Sequence, residues 1–293
     1  MTQFYTWSRY RCAYDHHAPE TTGDLPPLLL IHPIGVGLSR QFWQRFVAAW
    51  LARPGLSPLY NPDLLGCGES DLPRAAYYPE DWAAQLCHLA TQKLGQPAVW
   101  VVQGALLPVA IRAAEQCPAQ VKALVLAGPP ALSLLSTEAA SRQQRLAWNL
   151  FDSPLGWGLY RYVRRRQFLR SFSERQLFDE PAAVDEEWLA MLDAGARSPA
   201  TRHAVFSFLA GFWRQDYREA IAQLAIPTLV LVGESASSIS RSSRAETPSE
   251  RIASYQQHWP QVQVQQLPGR NVLPYESTAE FTTAVAEFVG RLG

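Results

Sequence analysis

The sequence predicts an α/β protein, a mostly parallel doubly wound sheet with one helical insertion. Three observations carry that expectation. Short apolar runs at 28–32, 59–63, 99–103, 123–127 and 228–232 have the length and β-branched content of buried strands, and several end in turns with Gly or Pro. Stretches with apolar residues at helical spacing alternate with these runs, which argues for parallel pairing with both sheet faces covered. Between residues 131 and 225 the strand rhythm stops, and apolar residues recur only at helical spacing.

Taken in order, residues 4–14 are rich in aromatics with rough alternation and suit an edge strand or hairpin. Residues 15–26, with His, Pro, Thr and Gly, read as a loop. The strand at 28–32 ends in Pro33-Ile34-Gly35-Val36-Gly37, and residues 38–52 place Phe42, Phe46, Ala49 and Trp50 at helical spacing. The strand at 59–63 runs into Asp63-Leu64-Leu65-Gly66-Cys67-Gly68-Glu69-Ser70-Asp71. A helix at 79–94 opens with Pro79 before Glu80 and Asp81, an acidic first turn that suits the positive end of the helix. Val99 to Gln103 then meet a sharp turn at Gly104-Ala105, and an Ala-rich helix follows up to Cys117-Pro118.

After the strand at 123–127 comes the helical insertion, marked by Leu146 and Leu150, by Trp188, Leu189 and Leu192, and by Phe206, Leu209 and Phe212. The strand at 228–232 restores the rhythm. A Ser/Arg-rich loop at 235–249 follows, whose 237–244 portion reads as mobile. A helix at 250–258, a strand at 262–267 and a helix at 276–292 close the chain. The expected division is a core of residues 1–130 and 226–293, with 131–225 as a cap or lid.

Composition excludes more than it selects. At 47% hydrophobic and 18% charged, 293 residues can bury a sizeable core. Lys+Arg 26 against Asp+Glu 26 leaves no net charge, so no nucleic-acid partner is expected. Cys12, Cys67, Cys87 and Cys117 lie far apart without C-x-x-C spacing, which suggests neither a metal cluster nor a disulfide ladder. His16, His17, His88, His203 and His258 are scattered without ligand spacing, so no metal or cofactor is expected. The N-terminus lacks the apolar core of a signal peptide. The longest apolar run, at 98–111, falls short of the ~20 residues a spanning helix needs. A soluble, cytoplasmic chain with no transmembrane segment is expected. Arg161, Arg164, Arg165, Arg166 and Arg170 form a basic run in the insertion, read as a solvated face or as a docking patch for an acidic protein or an anionic surface.

Several motifs, in order, carry a resemblance. Asp63-x-x-Gly66-x-Gly68-x-Ser70 looks like the D-x-x-G-x-G-x-S loop of lipase-like proteins, and His32-Pro33-Ile34-Gly35 is similar to their H-G-x-G oxyanion loop, with Trp43 in the helix after it. Ala110, Ala114, Pro118 and Val121 sit where the helix after the nucleophile and the next strand put the same residues. Ile226-Pro227-Thr228-Leu229-Val230-Leu231-Val232-Gly233-Glu234 resembles the strand before the acid, and Val101-Val102-Gln103 the elbow of haloalkane dehalogenases. Over nearly its whole length the chain resembles the α/β-hydrolase fold superfamily, in particular members with a helical cap.

That resemblance implies a nucleophile on a strained elbow, a His that takes its proton and an acid that orients the His. The nucleophile position falls on Gly104, or on Ala105 if counted from the strand end; the acid falls on Ser235 or Ala236, and the His on Asn271 or Val272. With Leu106 and Leu107 where small residues belong, the tight elbow is expected to relax. Pro33 has no N–H, which leaves Ile34 and Ala105 as backbone donors of the oxyanion region. His32, Pro33, Ile34, Gly35, Gln103, Gly104, Ala105 and Leu106 form the expected pocket region. The first reading is a non-catalytic protein that binds a small apolar ligand under the cap or a protein partner. The alternative is a hydrolase, lyase or isomerase that uses His32, Asp63 or Cys67.

Overall fold

The computed structural model describes residues 1–18, 25–238, 246–259 and 261–292. β1 (Thr2–Trp7) and β2 (Tyr10–His17) form an antiparallel hairpin. β3 (Leu28–Ile31) leads through a 3-10 turn at Arg40–Trp43 into α1 (Gln44–Leu51). Then follow β4 (Leu59–Pro62), α2 (Pro79–Leu89), prolonged by a π turn at Ala90–Leu94, β5 (Ala98–Gln103), α3 (Leu107–Gln116) and β6 (Val121–Ala127). Residues between β6 and the next strand hold α4 (Ser141–Phe151), α5 (Pro154–Val163), α6 (Arg166–Phe172), α7 (Glu186–Gly195), α8 (Arg202–Leu209) and α9 (Arg218–Gln223), without a strand among them. β7 (Thr228–Gly233), α10 (Pro248–His258), β8 (Val262–Leu267), α11 (Leu273–Glu276) and α12 (Thr278–Gly290) complete the chain.

The eight strands make one sheet in the order β1-β2-β4-β3-β5-β6-β7-β8, parallel from β4 to β8 and antiparallel at the β1-β2-β4 edge. β3, β5 and β7 are buried along their whole length, as a sheet covered on both faces requires. Side chains alternate between two cores. Leu29, Ile31, Trp100, Val102, Leu124, Leu126, Val230 and Val232 face the α2 and α3 side. Leu28, Leu30, Val99, Val101, Val125, Leu229 and Leu231 face α1 and α12.

Some boundaries differ from the sequence reading, each for a local reason. β2 runs on to His17 because Asp15, His16 and His17 pair with Asn61, Tyr60 and Leu59 of β4. α10 starts earlier than 250 because Thr247 and Glu250 form a capping box, with the Thr247 Oγ1 accepting the Glu250 N–H. The last helix breaks at Ser277, whose Oγ donates back to the Pro268 carbonyl at 2.6 Å. The 239–245 part of the Ser/Arg-rich stretch lies outside the described residues.

The cysteines depart from expectation by one bond. α2 and α3 pack side by side and bring Cys87 and Cys117, 30 apart in sequence, into a disulfide. Spacing alone does not reveal such a contact. Closing a loop of that length stabilises the fold by about 3–4 kcal/mol in the chain-entropy account. Cys12 and Cys67 are free and buried. Among the described residues no helix is long and apolar enough to cross a membrane.

Candidate functional site

In a parallel sheet the strand ends gather on one edge, and open α/β sheets bind ligands beyond the carboxyl ends of their strands. The loops after β3, β5, β7 and β8 meet there. At the end of β5, Gly104 takes φ 64°, and a 3-10 turn at Gly104–Leu106 feeds α3. The tight elbow is therefore kept, contrary to the expectation that Leu106 and Leu107 relax it. Both leucines turn into the core beside α2, so packing absorbs their bulk. Glycine adopts the left-handed turn without the cost that a Cβ imposes. A Cβ placed on Gly104 would meet nothing within 4 Å.

The elbow is tied to the loop after β8. Gln103 Nε2 donates to the Asn271 carbonyl at 2.7 Å. Asn271 Nδ2 donates to the Gln176 carbonyl at 2.7 Å, and its backbone N–H to the Leu177 carbonyl at 3.0 Å. Asn271 thus joins β5, the loop after β8 and the turn after α6. Val272 is buried in the core beneath α1 and α12, so of the two aligned residues Asn271 is the one against the elbow. Ala236 is buried in the other core, its N–H closing a turn onto the Gly233 carbonyl. The Ser235 N–H donates to the Gly269 carbonyl.

His32 is fully buried. Its Nε2 accepts the Leu64 N–H at 3.1 Å, so the proton sits on Nδ1, which donates to the Pro33 carbonyl at 2.9 Å. Both ring nitrogens hold loops. Burial lowers its pKa from the ordinary 6.5, only partly offset by Asp63, and burial lowers His16, His17 and His203 in the same sense. A folded-state pKa below the unfolded one means that the unfolded chain binds more protons on acidification. Stability is therefore expected to be complete above about pH 6.5 and to fall as the pH drops below it. Urea unfolding between pH 7.5 and about 5 checks this. The slope with pH is smaller in His32→Gln, which cannot titrate.

Asp63 is equally enclosed. Its Oδ1 accepts the Arg40 N–H and its Oδ2 the Glu69 N–H, each at 2.8 Å, while the Arg40 guanidinium pairs with the same carboxylate. That guanidinium also binds Asp15 at 2.7 Å and Glu69. Ser70 Oγ donates to the Asp63 carbonyl and accepts the Ala13 N–H. Gly68, at φ 54°, leaves the space that the carboxylate fills; a Cβ there would collide with it. The D-x-x-G-x-G-x-S loop is thus a structural clasp. Cys67 is buried, and loss of solvation pushes its thiol far above the ordinary range, helped by Asp63. A Cys67 thiolate with His32 as its base is not what these contacts provide. Arg40 had no sequence signal, because its carboxylate partners lie at separations of 23 to 29 residues.

The basic run divides. Arg166 pairs with Glu186 and Asp193, and Arg170 with Glu186 at 2.6 Å, so neither is a free patch residue. Arg161 instead lies over the Trp157 ring at 4.8 Å, Arg165 over the Tyr162 ring at 5.4 Å, and Arg164 donates to the Arg197 carbonyl. Two open surface hollows lie away from the elbow. One, about 410 Å³, sits at the opposite strand ends between Pro26, Pro97, Pro118 and Lys122; the other, about 350 Å³, lies between β8 and α12. Leu106, Leu132, Leu134, Leu135, Tyr77 and Trp213 are buried in the core on the α2 and α3 side of the sheet. Pro33, Ile34, Gly35, Gly104 and Ala105 remain half-buried.

No curated protein sequence matches the chain. Similar solved structures include a thermophilic esterase from Thermogutta terrifontis, at 19% identity over 100% of this chain and 99% of that one, with a TM-score of 0.73. A bromoperoxidase from Bacillus anthracis is 17% identical over 99% and 100%, with a TM-score of 0.72. The enol-lactonase from Burkholderia xenovorans LB400 is 17% identical over 98% and 100%, with a TM-score of 0.71. At such identities the likeness speaks for the fold alone. The alpha/beta hydrolase family matches by sequence over residues 28–285, from the first residue of β3 into α12. That span leaves out only the N-terminal hairpin with its loop and the last turns of the chain, which therefore belongs to the alpha/beta hydrolase family.

Proposed function

We propose that this chain is a non-catalytic member of the family that works by binding, with residues 131–225 as a cap over the carboxyl ends of the strands. One observation supports this above others. Where the family's chemistry needs a nucleophile, an acid and an imidazole, the chain has Gly104 on a formed elbow, a core-packed Ala236, and Asn271 bonded to Gln103 and Gln176. The other candidates, His32, Asp63 and Cys67, are buried, and the polar groups of His32 and Asp63 are committed to loop structure. A hydrolase, lyase or isomerase built on those three has no contact that favours it.

The half-buried, mostly apolar Pro33, Ile34, Gly35, Gly104 and Ala105 lie beyond the ends of the neighbouring strands β3 and β5. They support a seat for a small apolar ligand, with the Ile34 and Ala105 N–H groups suited to a carbonyl or anionic end. For location, the cytoplasm is the reading of the sequence, and the Cys87–Cys117 disulfide, uncommon in reducing compartments, weighs against it.

Gly104→Ser tests the reading. Open space around the position lets the variant fold with a loss of about 1–2 kcal/mol from the left-handed turn. It is expected to stay inactive toward short-chain p-nitrophenyl esters, since a serine without a base remains protonated. Turnover by the variant would reveal a working base and oxyanion site beside the elbow, and would end the reading that all three catalytic positions are empty.

A further inference from the structure

We infer that the α4–α5 hairpin docks this protein on an anionic lipid surface. Of the nine large apolar side chains exposed among the described residues, six lie here: Leu146 and Leu150 on α4, and Leu155, Trp157, Leu159 and Tyr162 on α5. Leu155, Leu159 and Tyr162 stand at i, i+4 and i+7, a stripe that an ordinary helix turns toward its core. In α5 the core side is taken by Gly156 and Tyr160, so the stripe points outward. Leu155 is 73% exposed and Leu146 71%.

The charge of the same segment identifies the occupant. Residues 141–165 hold five arginines (Arg142, Arg145, Arg161, Arg164, Arg165) and one acid, Asp152, a net charge of 5 − 1 = +4 in a chain with none overall. Asp152 is taken by Arg74 at 2.9 Å. Among the described residues none of the five arginines has a carboxylate within ion-pair distance. Arg161 and Arg165 lie over Trp157 and Tyr162 instead. Protruding leucines reach the acyl boundary, Trp and Tyr sit at headgroup depth, and arginines meet anionic headgroups. The exposed leucines and aromatics share the segment with these arginines. That pairing of exposed apolar side chains with a net positive charge matches an anionic lipid surface. The inference does not depend on the absence of catalysis.

Co-sedimentation of the full chain with phosphatidylcholine vesicles, with and without phosphatidylserine, tests it. The wild-type chain is expected to partition at least about tenfold more strongly onto the phosphatidylserine vesicles, with binding lost at raised salt. Leu155→Ser/Trp157→Ser/Leu159→Ser, and separately Arg161→Gln/Arg165→Gln, are each expected to weaken that binding about tenfold with an unchanged far-UV spectrum and melting temperature. A wild-type chain that stays in the supernatant with both vesicles overturns the inference. So does equal binding to both vesicles, or a dimer in sedimentation velocity that the triple serine variant disperses, which would make a second copy the occupant.

Discussion

Arg40→Ala is expected to lower the free energy of unfolding by about 3–5 kcal/mol, the range for leaving a buried charge without its partner. Arg40 is 2% exposed and Asp63 0%, and the guanidinium alone reaches Asp63, Asp15 and Glu69. Without it the Asp63 carboxylate keeps two backbone donors, the N–H groups of residues 40 and 69, and loses its countercharge. Arg40→Lys rescues little, because an ammonium cannot fork among carboxylates on different segments. Replacing Arg40 together with its most buried partner, as Arg40→Met with Asp63→Leu, is expected to destabilise less than Arg40→Ala, since the fully enclosed Asp63 charge is then not stranded. Urea denaturation of the variants settles the order. A single Arg40→Ala within about 1 kcal/mol of wild type would mean that the network contributes little.

The next largest effect is expected at Gly37→Ala. Gly37 holds φ 79° in the loop after β3, and a Cβ there would overlap the carbonyl of Leu192 in α7. Across the same contact, a Cβ on Gly195 would overlap the Gly37 carbonyl. Two backbones touch here, and this contact seats α7 against the loop that carries Ile34 and Gly35. The left-handed turn contributes about 1–2 kcal/mol and the forced displacement a further 1–3, so a loss of about 3 kcal/mol is expected. Gly55→Ala is the control, with φ 73° and nothing within 4 Å of a Cβ. It should lose only the conformational part, about 1–2 kcal/mol. Equal losses in the two variants would remove the contact with α7 from the account.

What the sequence made legible follows from the range of its signals. Period and turn chemistry act over a few residues, so the runs at 28–32, 99–103 and 228–232 appear as strands within a residue or two. The order of motifs identified the fold. Partnership across the sheet is not written in any local pattern. Asp63 in its loop reads as a candidate reactive carboxylate until Arg40 is seen against it, and Cys87 meets Cys117 only because α2 lies beside α3. Leu106 and Leu107 look too large for an elbow in a linear reading, yet the core accepts both. The outward stripe of α5 shows the same limit. Spacing marks Leu155 and Leu159 as one face of a helix, but whether that face meets the core or the solvent is decided by the other elements.

Labelling and turnover by the folded wild-type chain test the central claim most directly. Purified protein, shown to be folded by its melting transition, is exposed to a fluorophosphonate probe and assayed on short-chain p-nitrophenyl esters. With Gly104 at the elbow and both nitrogens of His32 engaged, the expected result is no covalent label and no turnover above the buffer blank. Saturable turnover abolished by the probe, or by His32→Gln or Cys67→Ser in a variant that still folds, would contradict it.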